Sequence, residues 1–294
     1  MSPERRFGGE WTEEKLRRIG KYLRAYTTIF TKNPRAATLT TIYVDAFAGT
    51  GTRRAPRSAG LPLLSRDEDP DAIALGKGSA AIALETDPPF DRYLFIEREK
   101  ARIRDLEVLR GRFPTLASRV AIERAEANDY LRRWCTATEW RTHRAVVFLD
   151  PYGMEVEWST IETIAATEAI DLWLLFPLGQ AVNRLLTRRQ PPAGAWSDRL
   201  TAIFGTPDWK EEFYRASPQG RLFTAEPEMK KEADFDRIGR FFVGRLQTVF
   251  AGVAEHPLAL RNSKNVPIFL LCFAAGNPKG ARTAVRIAGD ILRG

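Results

Sequence analysis

Two short runs in this chain end an apolar stretch on an acid and then break into glycine or proline. They are Tyr43–Gly51, "YVDAFAGTG", and Val146–Met154, "VVFLDPYGM". In the first, Asp45 and Phe47 precede Gly49 and Gly51 in an acid-x-x-x-Gly-x-Gly pattern. Glycines at such a turn bring a ligand close to the backbone and present free N–H groups to an anion. The run lacks the Gly-Lys-Ser/Thr of a phosphate-binding loop, and Arg54 stands where a dinucleotide fingerprint needs its third glycine. In the second run, Asp150, Pro151 and Tyr152 suit an amino group whose lone pair is delocalised into a ring. A carboxylate and a backbone carbonyl that accept its two hydrogens localise the pair and aim it at an electrophile. Pro151 fixes the backbone and removes a competing donor. Tyr152 offers a flat face for stacking a base displaced from its helix.

Two further acids follow strand-like runs. Glu97 closes "YLFIE", where a carboxylate can accept both hydrogens of a ribose diol. Glu126, in "IERAEAND", is placed to meet an adenine amino group; Asn128 and Asp129 compete for that role, and Asp129 also suits a helix cap. Arg53, Arg54 and Arg57 come directly after the first turn, and Arg184, Arg188 and Arg189 come shortly after "LWLLFPLG". Both clusters are expected on one rim around the site, where positive charge suits a phosphate-bearing substrate. Arg102, Arg104, Arg132 and Arg133 fall on helical stretches and read as a solvated face.

The elements that must position these residues are legible as a pattern. Leu16, Ile19, Leu23, Tyr26 and Ile29 recur at helical spacing, predicting a helix over Thr12–Thr31 that Asn33-Pro34 stops. Strands are expected at Thr41–Ala46, Tyr93–Glu97, Arg119–Glu123, Ala145–Asp150 and Ala169–Phe176. Helices are expected near Ser79–Glu85, Lys100–Arg112, Ala127–Trp134 and Ser159–Thr167. Runs such as "AVVFL" are apolar throughout, as in parallel strands covered on both faces. Leu258–Arg261 and Val266–Ala275 are separated only by "NSKN", so they form a hairpin and the last strand is antiparallel. The expected fold is thus α/β, a doubly wound, mostly parallel seven-stranded sheet ending in an antiparallel hairpin. One domain is expected over residues 1–294, with an N-terminal helical extension over 1–40 and a helical insertion over 188–231 near the mouth of the site. Thr52–Lys77 is a second, long polar interruption.

Composition narrows the classes. Forty-five Lys and Arg against 37 Asp and Glu give a net charge of +8, an excess that suits nucleic acid. Two cysteines and two histidines supply neither a disulfide framework nor a metal cluster, so no metal is expected and a reducing cytoplasm is. The start, "MSPERRFGGEWTEEK", is charged and predicts no secretory signal. No apolar run approaches the roughly 20 residues that span a bilayer.

Together, "DAFAGTG" and "LDPYG" resemble the motifs of class I S-adenosylmethionine-dependent methyltransferases. The first is similar to the Asp-Pro-Phe-x-Gly-Ser-Gly loop of amino-group DNA methyltransferases. The second resembles their Asp-Pro-Pro-Tyr and, more nearly, the Asp-Pro-Phe-Gly of tRNA guanine methyltransferases. One proline is missing and Tyr152 is shifted a step, so the acceptor stays open among adenine, cytosine and guanine. Blocks over nearly the whole chain, including "FGGEWTEEKL", "PPFDRYLFIE", "AIDLWLLFPLGQAVNRLL", "IFGTPDWKEEFY" and "NVPIFLLCFAAGNPKG", resemble the three-Cys-motif partner family. That resemblance implies S-adenosylmethionine as cofactor, with Asp45, Phe47, Gly49 and Gly51 shaping its methionine pocket, Glu97 on its ribose and Glu126 on its adenine. It also implies Asp150, Pro151 and Tyr152 at the acceptor and a three-Cys-motif protein as partner. Two other readings stand beside it: a non-catalytic binding subunit for that partner, and a methyltransferase acting on a small molecule or a protein.

Overall fold

The structure, a computed structural model, describes residues 10–48, 78–216 and 229–294. Gly49, Gly51, Arg53, Arg54, Arg57 and the Thr52–Lys77 stretch lie outside the described residues. The chain opens with helix α1 (Glu10–Lys32) and then alternates strands and helices. These are β1 (Thr40–Asp45), α2 (Ser79–Leu84), β2 (Arg92–Glu97), α3 (Lys100–Gly111), β3 (Val120–Arg124), α4 (Ala127–Ala137), β4 (His143–Leu149), α5 (Trp158–Ala165) and β5 (Ile170–Phe176). A π-helical turn, Leu178–Val182, and the short α6 (Asn183–Leu185) follow. Next come α7 (Ala195–Phe204), α8 (Trp209–Phe213), β6 (Tyr214–Ala216) and β7 (Met229–Lys231). The chain then runs through α9 (Phe235–Gln247), β8 (Gly252–Val253), β9 (Leu258–Arg261), β10 (Pro267–Ala275) and α10 (Ala281–Arg293).

The main sheet has the order β3-β2-β1-β4-β5-β10-β8, with β9 also on β10. Strands β1 to β5 are all parallel, and β10 is antiparallel to β5. Where seven strands were expected, the main sheet has eight among the described residues. The two-residue β8 pairs with Ala274 and Ala275, and β9 pairs lower on the same edge of β10, so the pair shares one position. From β1 the chain winds outward through β2 and β3, then crosses back to lay β4 on the other side of β1. That reversal opens a crevice between the carboxyl ends of β1 and β4.

Strand side chains alternate between two buried layers. Val44, Val147, Leu172 and Leu174 face one core with α4, α5, α7 and α9. Tyr43, Phe95, Phe148 and Trp173 face the other, with α1, α2, α3 and α10. Helix α1 lies within this second core. Ile19, Tyr22 and Leu23 are almost fully buried, and Tyr22 meets Trp173 and Phe273 with ring centroids 5.2 and 4.9 Å apart. Trp11 packs on Phe269 toward the carboxyl end of the parallel strands, and Tyr26 packs on Phe90, which precedes β2. The helix therefore runs opposite to the parallel strands. The segment read from sequence as a helical insertion contains α7 and α8 and also a small antiparallel pair, β6 with β7.

Candidate functional site

Asp45 and Asp150 end or directly follow neighbouring parallel strands, and the register sets Asp45 beside Phe148. Alternation puts both carboxyl groups on the α1 face. Asp45 is fully buried and Asp150 is 8% exposed. Asp45 accepts a short hydrogen bond from the Ser79 hydroxyl at the start of α2, and its Oδ1 accepts the Phe47 N–H at 3.2 Å. Burial pushes the Asp45 carboxyl up to about 7; the negative charge of Asp150 adds to the rise, while the Ser79 and Phe47 hydrogen bonds oppose it. The turn itself is pinned on both sides, because Ala46 N donates to Phe148 O (3.3 Å) and Ala48 N to Ile96 O (3.1 Å). Phe47 is half-buried against the α4–α5 core.

The cation between these acids is one that reading the sequence missed. Lys15 of α1 is 1% exposed, and its Nζ donates to Asp150 Oδ2 at 2.5 Å. The ammonium lies 5.5 Å from the centre of the Trp11 ring and 5.8 Å from that of Phe148, within cation–π range. A signal existed. Trp11, Lys15 and Ile19 follow one another at four-residue spacing, so the lysine sits on the apolar stripe of its helix rather than on the charged face.

The remaining candidates are distributed along the same carboxyl edge. Glu97 ends β2, 7% exposed; its Oε1 accepts the Arg98 and Glu99 N–H groups at 2.7 and 2.8 Å, and its Oε2 faces Arg102 Nη1 at 3.5 Å. Arg102, expected on a solvated face, thus turns back onto the strand end. Glu126 does a different task from the one expected. As the N-cap of α4 it accepts from Asn128 N (3.1 Å), Asn128 Nδ2 (2.9 Å) and Asp129 N (2.8 Å), which engages both carboxylate oxygens. Asn128, also weighed for the adenine, is buried and ties α4 to the loop after β4 through Glu155 O, Glu157 N and Thr160 Oγ1. Pro151 is buried, Tyr152 is 40% exposed, and Gly153 takes the left-handed φ of +84° that turns the loop. Arg184 and Arg188 are exposed beyond the π-helical turn of β5.

Strand order, an antiparallel last strand wedged beside β5, and acids closing β1, β2 and β4 define a class I methyltransferase-like fold. No family model matches the chain, and no curated protein does. Among solved structures, it is similar to a Legionella pneumophila protein described by the family model DUF519, at 12% identity and a TM-score of 0.48. The match covers 97% of this chain and 92% of that one. It is also similar to spermidine synthase from Thermotoga maritima, at 10% identity and a TM-score of 0.39, over 91% of this chain and 60% of that one. A spermidine synthase in complex with the transition-state analogue AdoDATO matches at 9% identity and a TM-score of 0.38, over 91% and 61%. No helix among the described residues is long and apolar enough to cross a membrane.

Proposed function

We propose that this chain is an S-adenosylmethionine-dependent methyltransferase acting on an amino group of a nucleic acid. The observation that carries the reading is the pairing of Asp45 and Asp150 across the crevice where the sheet reverses its strand order. Open α/β sheets bind their ligands at that crevice. The donor set suits a nucleoside cofactor. Glu97 is a buried acid at a strand end, the place of a ribose-binding carboxylate; its Oε1 is held by two backbone N–H groups, and its Oε2, 3.5 Å from Arg102, is the oxygen a ribose hydroxyl would meet. Gly49 and Gly51 belong to the same reading from sequence alone. S-adenosylmethionine, when bound, supplies a methyl group on a sulfonium.

The chain's own part is alignment. Asp150 and the Pro151 carbonyl accept the two hydrogens of the acceptor amine, which directs its lone pair at the methyl carbon. Tyr152, at the mouth, offers its ring to the base. Trp11, Phe148 and the Lys15 methylenes close the floor to water. Asp150→Asn is expected to abolish methyl transfer while cofactor affinity, read by calorimetric titration, stays about the same. Tritiated-methyl transfer to bulk tRNA and DNA is the test, and full turnover in this variant would refute the assignment.

One observation favours a second reading. Lys15 already engages Asp150 at 2.5 Å, as a purely structural ion pair would. On that reading the chain binds its cofactor, or none, and serves as the binding subunit of a three-Cys-motif protein, a partner proposed on sequence resemblance. Cofactor binding with no labelling of nucleic acid, protein or small molecule would support it.

A further inference from the structure

The antiparallel pair β6–β7 sets two cations directly opposite each other. Arg215 faces Lys230 across the ladder, both exposed. Like charges in opposed positions destabilise a two-stranded ribbon. Here the ribbon is nevertheless tied firmly to the segment that leaves β5. Lys231 N donates to Arg188 O (2.9 Å), Lys231 Nζ to Asn183 Oδ1 (2.6 Å) and Tyr214 OH to Thr187 O (2.9 Å). These bonds set Lys231 beside Asn183, Arg184 and Arg188, while alternation turns Arg215 and Lys230 to the other, exposed face of the ribbon. Among the described residues, none of the five cations enters an ion pair. The neighbouring acids Glu212 and Glu232 are both turned to Arg237 of α9. Lys231 is half-buried with an amide oxygen as partner, and burial lowers its pKa. Among the described residues, charge of one sign with no carboxylate in an ion pair to it fits an external polyanion. The ribbon also borders an open groove of about 520 Å³ that includes Pro191, Pro192, Lys210 and Met229, with apolar contacts beside a further cation.

We propose that the β6–β7 ribbon, with Arg184 and Arg188, binds the phosphodiester backbone of a single-stranded nucleic acid and holds it beside the carboxyl edge of β5. This rests on the reading that the acceptor is a nucleic acid, and it assigns the surface that grips it. Asn183 and Arg184 lie only a few residues beyond the end of β5, and the neighbouring strand β4 leads into Asp150 at the same edge of the sheet.

The test is fluorescence anisotropy of a short labelled single-stranded RNA over a series of salt concentrations. Arg215→Glu with Lys230→Glu is the ribbon variant. Arg282→Glu with Arg286→Glu on α10, the same change of charge against the opposite face of the sheet, is the control. The ribbon variant is expected to bind on the order of tenfold more weakly, with a slope of log affinity against log salt shallower by about 1.4, the loss of two phosphate contacts on a single strand. The control is expected to change neither. Equal losses in both variants would mean diffuse attraction and overturn the proposal, as would binding of poly-glutamate but not RNA, which marks an acidic protein partner. The assay needs no turnover. RNA binding lost in the ribbon variant, with no methyl transfer by the wild type, sustains the ribbon and refutes the catalytic reading. Unchanged methylation of nucleic acid by the ribbon variant does the reverse.

Discussion

Lys15→Met tests the centre of the site most directly. The substitution keeps a flexible apolar side chain and deletes one ammonium. In the wild type that ammonium is 1% exposed and touches a carboxylate that is itself 8% exposed. Asp45, fully buried on the adjacent strand, depends on the same positive charge. Removing one partner of a buried pair while leaving the other costs about 3–5 kcal/mol. The Asp150 carboxylate would then lose a buried cationic partner, which sets the expected loss within that range. Lys15→Met combined with Asp150→Asn removes the uncompensated charge, and replacing both partners of a buried pair is often close to neutral. The double variant is therefore expected to recover most of the loss, giving a coupling energy of about 3 kcal/mol. Urea denaturation of the four proteins at slightly alkaline pH measures it. A loss below about 1 kcal/mol, or no recovery in the double variant, would refute this account of the buried charge, since that is the range of an exposed pair.

Three further substitutions probe the frame around the site. Tyr22 OH donates to Asp171 Oδ2 at 2.6 Å, and burial pushes that carboxyl from 3.8 up to about 7. Its contribution to stability is present below about pH 4 and lost as pH rises toward 7, so Asp171→Asn should gain on the wild type over that window by up to about 4 kcal/mol in urea midpoints. Parallel pH profiles of the two proteins would contradict it. At Gly179 an added Cβ would lie 2.0 Å from the Pro267 carbonyl oxygen, so Gly179→Ala should destabilise by about 1–3 kcal/mol. An unchanged denaturation midpoint would mean that the π-helical turn and the foot of β10 are not in close contact. Glu126→Ala should cost about 1 kcal/mol as a lost helix cap, with the affinity for S-adenosylmethionine unchanged. A weaker affinity would return Glu126 to the adenine site.

What could be read from sequence follows the physics of each element. Strands β1, β2, β4 and β5 are covered on both faces, so they appear as largely unbroken apolar runs, and the acids that close β1, β2 and β4 mark where the sheet meets solvent or ligand. The hairpin was legible because "NSKN" is too short for a crossover. The two-residue β8 and the polar β6–β7 ribbon carry no periodicity to detect. Lys15 escaped for a different reason. Its partner is 135 residues away, and a lysine beside two glutamates in "WTEEKL" resembles an exposed helix turn. Glu126, read for an adenine, also caps its own helix, a local demand that competes with any ligand.

The charges at this edge have opposite signs in two places, and on the proposed reading the separation has a use. Two carboxyl groups, Asp45 and Asp150, lie at the floor of the crevice, with Lys15 against Asp150 and burial pushing Asp45 up to about 7. Such a floor suits an amine or a sulfonium and repels phosphate. The ribbon of Arg215, Lys230 and Lys231 attracts phosphate and repels cations. A nucleotide strand therefore meets the protein with its backbone drawn to the rim and only a base able to reach the floor. A base still stacked in a duplex cannot make both contacts; one turned out of its stack can, with the Tyr152 ring at the boundary between the two fields. The same separation disfavours a small anionic acceptor, which the rim would hold away from Asp150. Because Lys15 meets Asp150 from α1, that helix belongs to the site as much as the strands do.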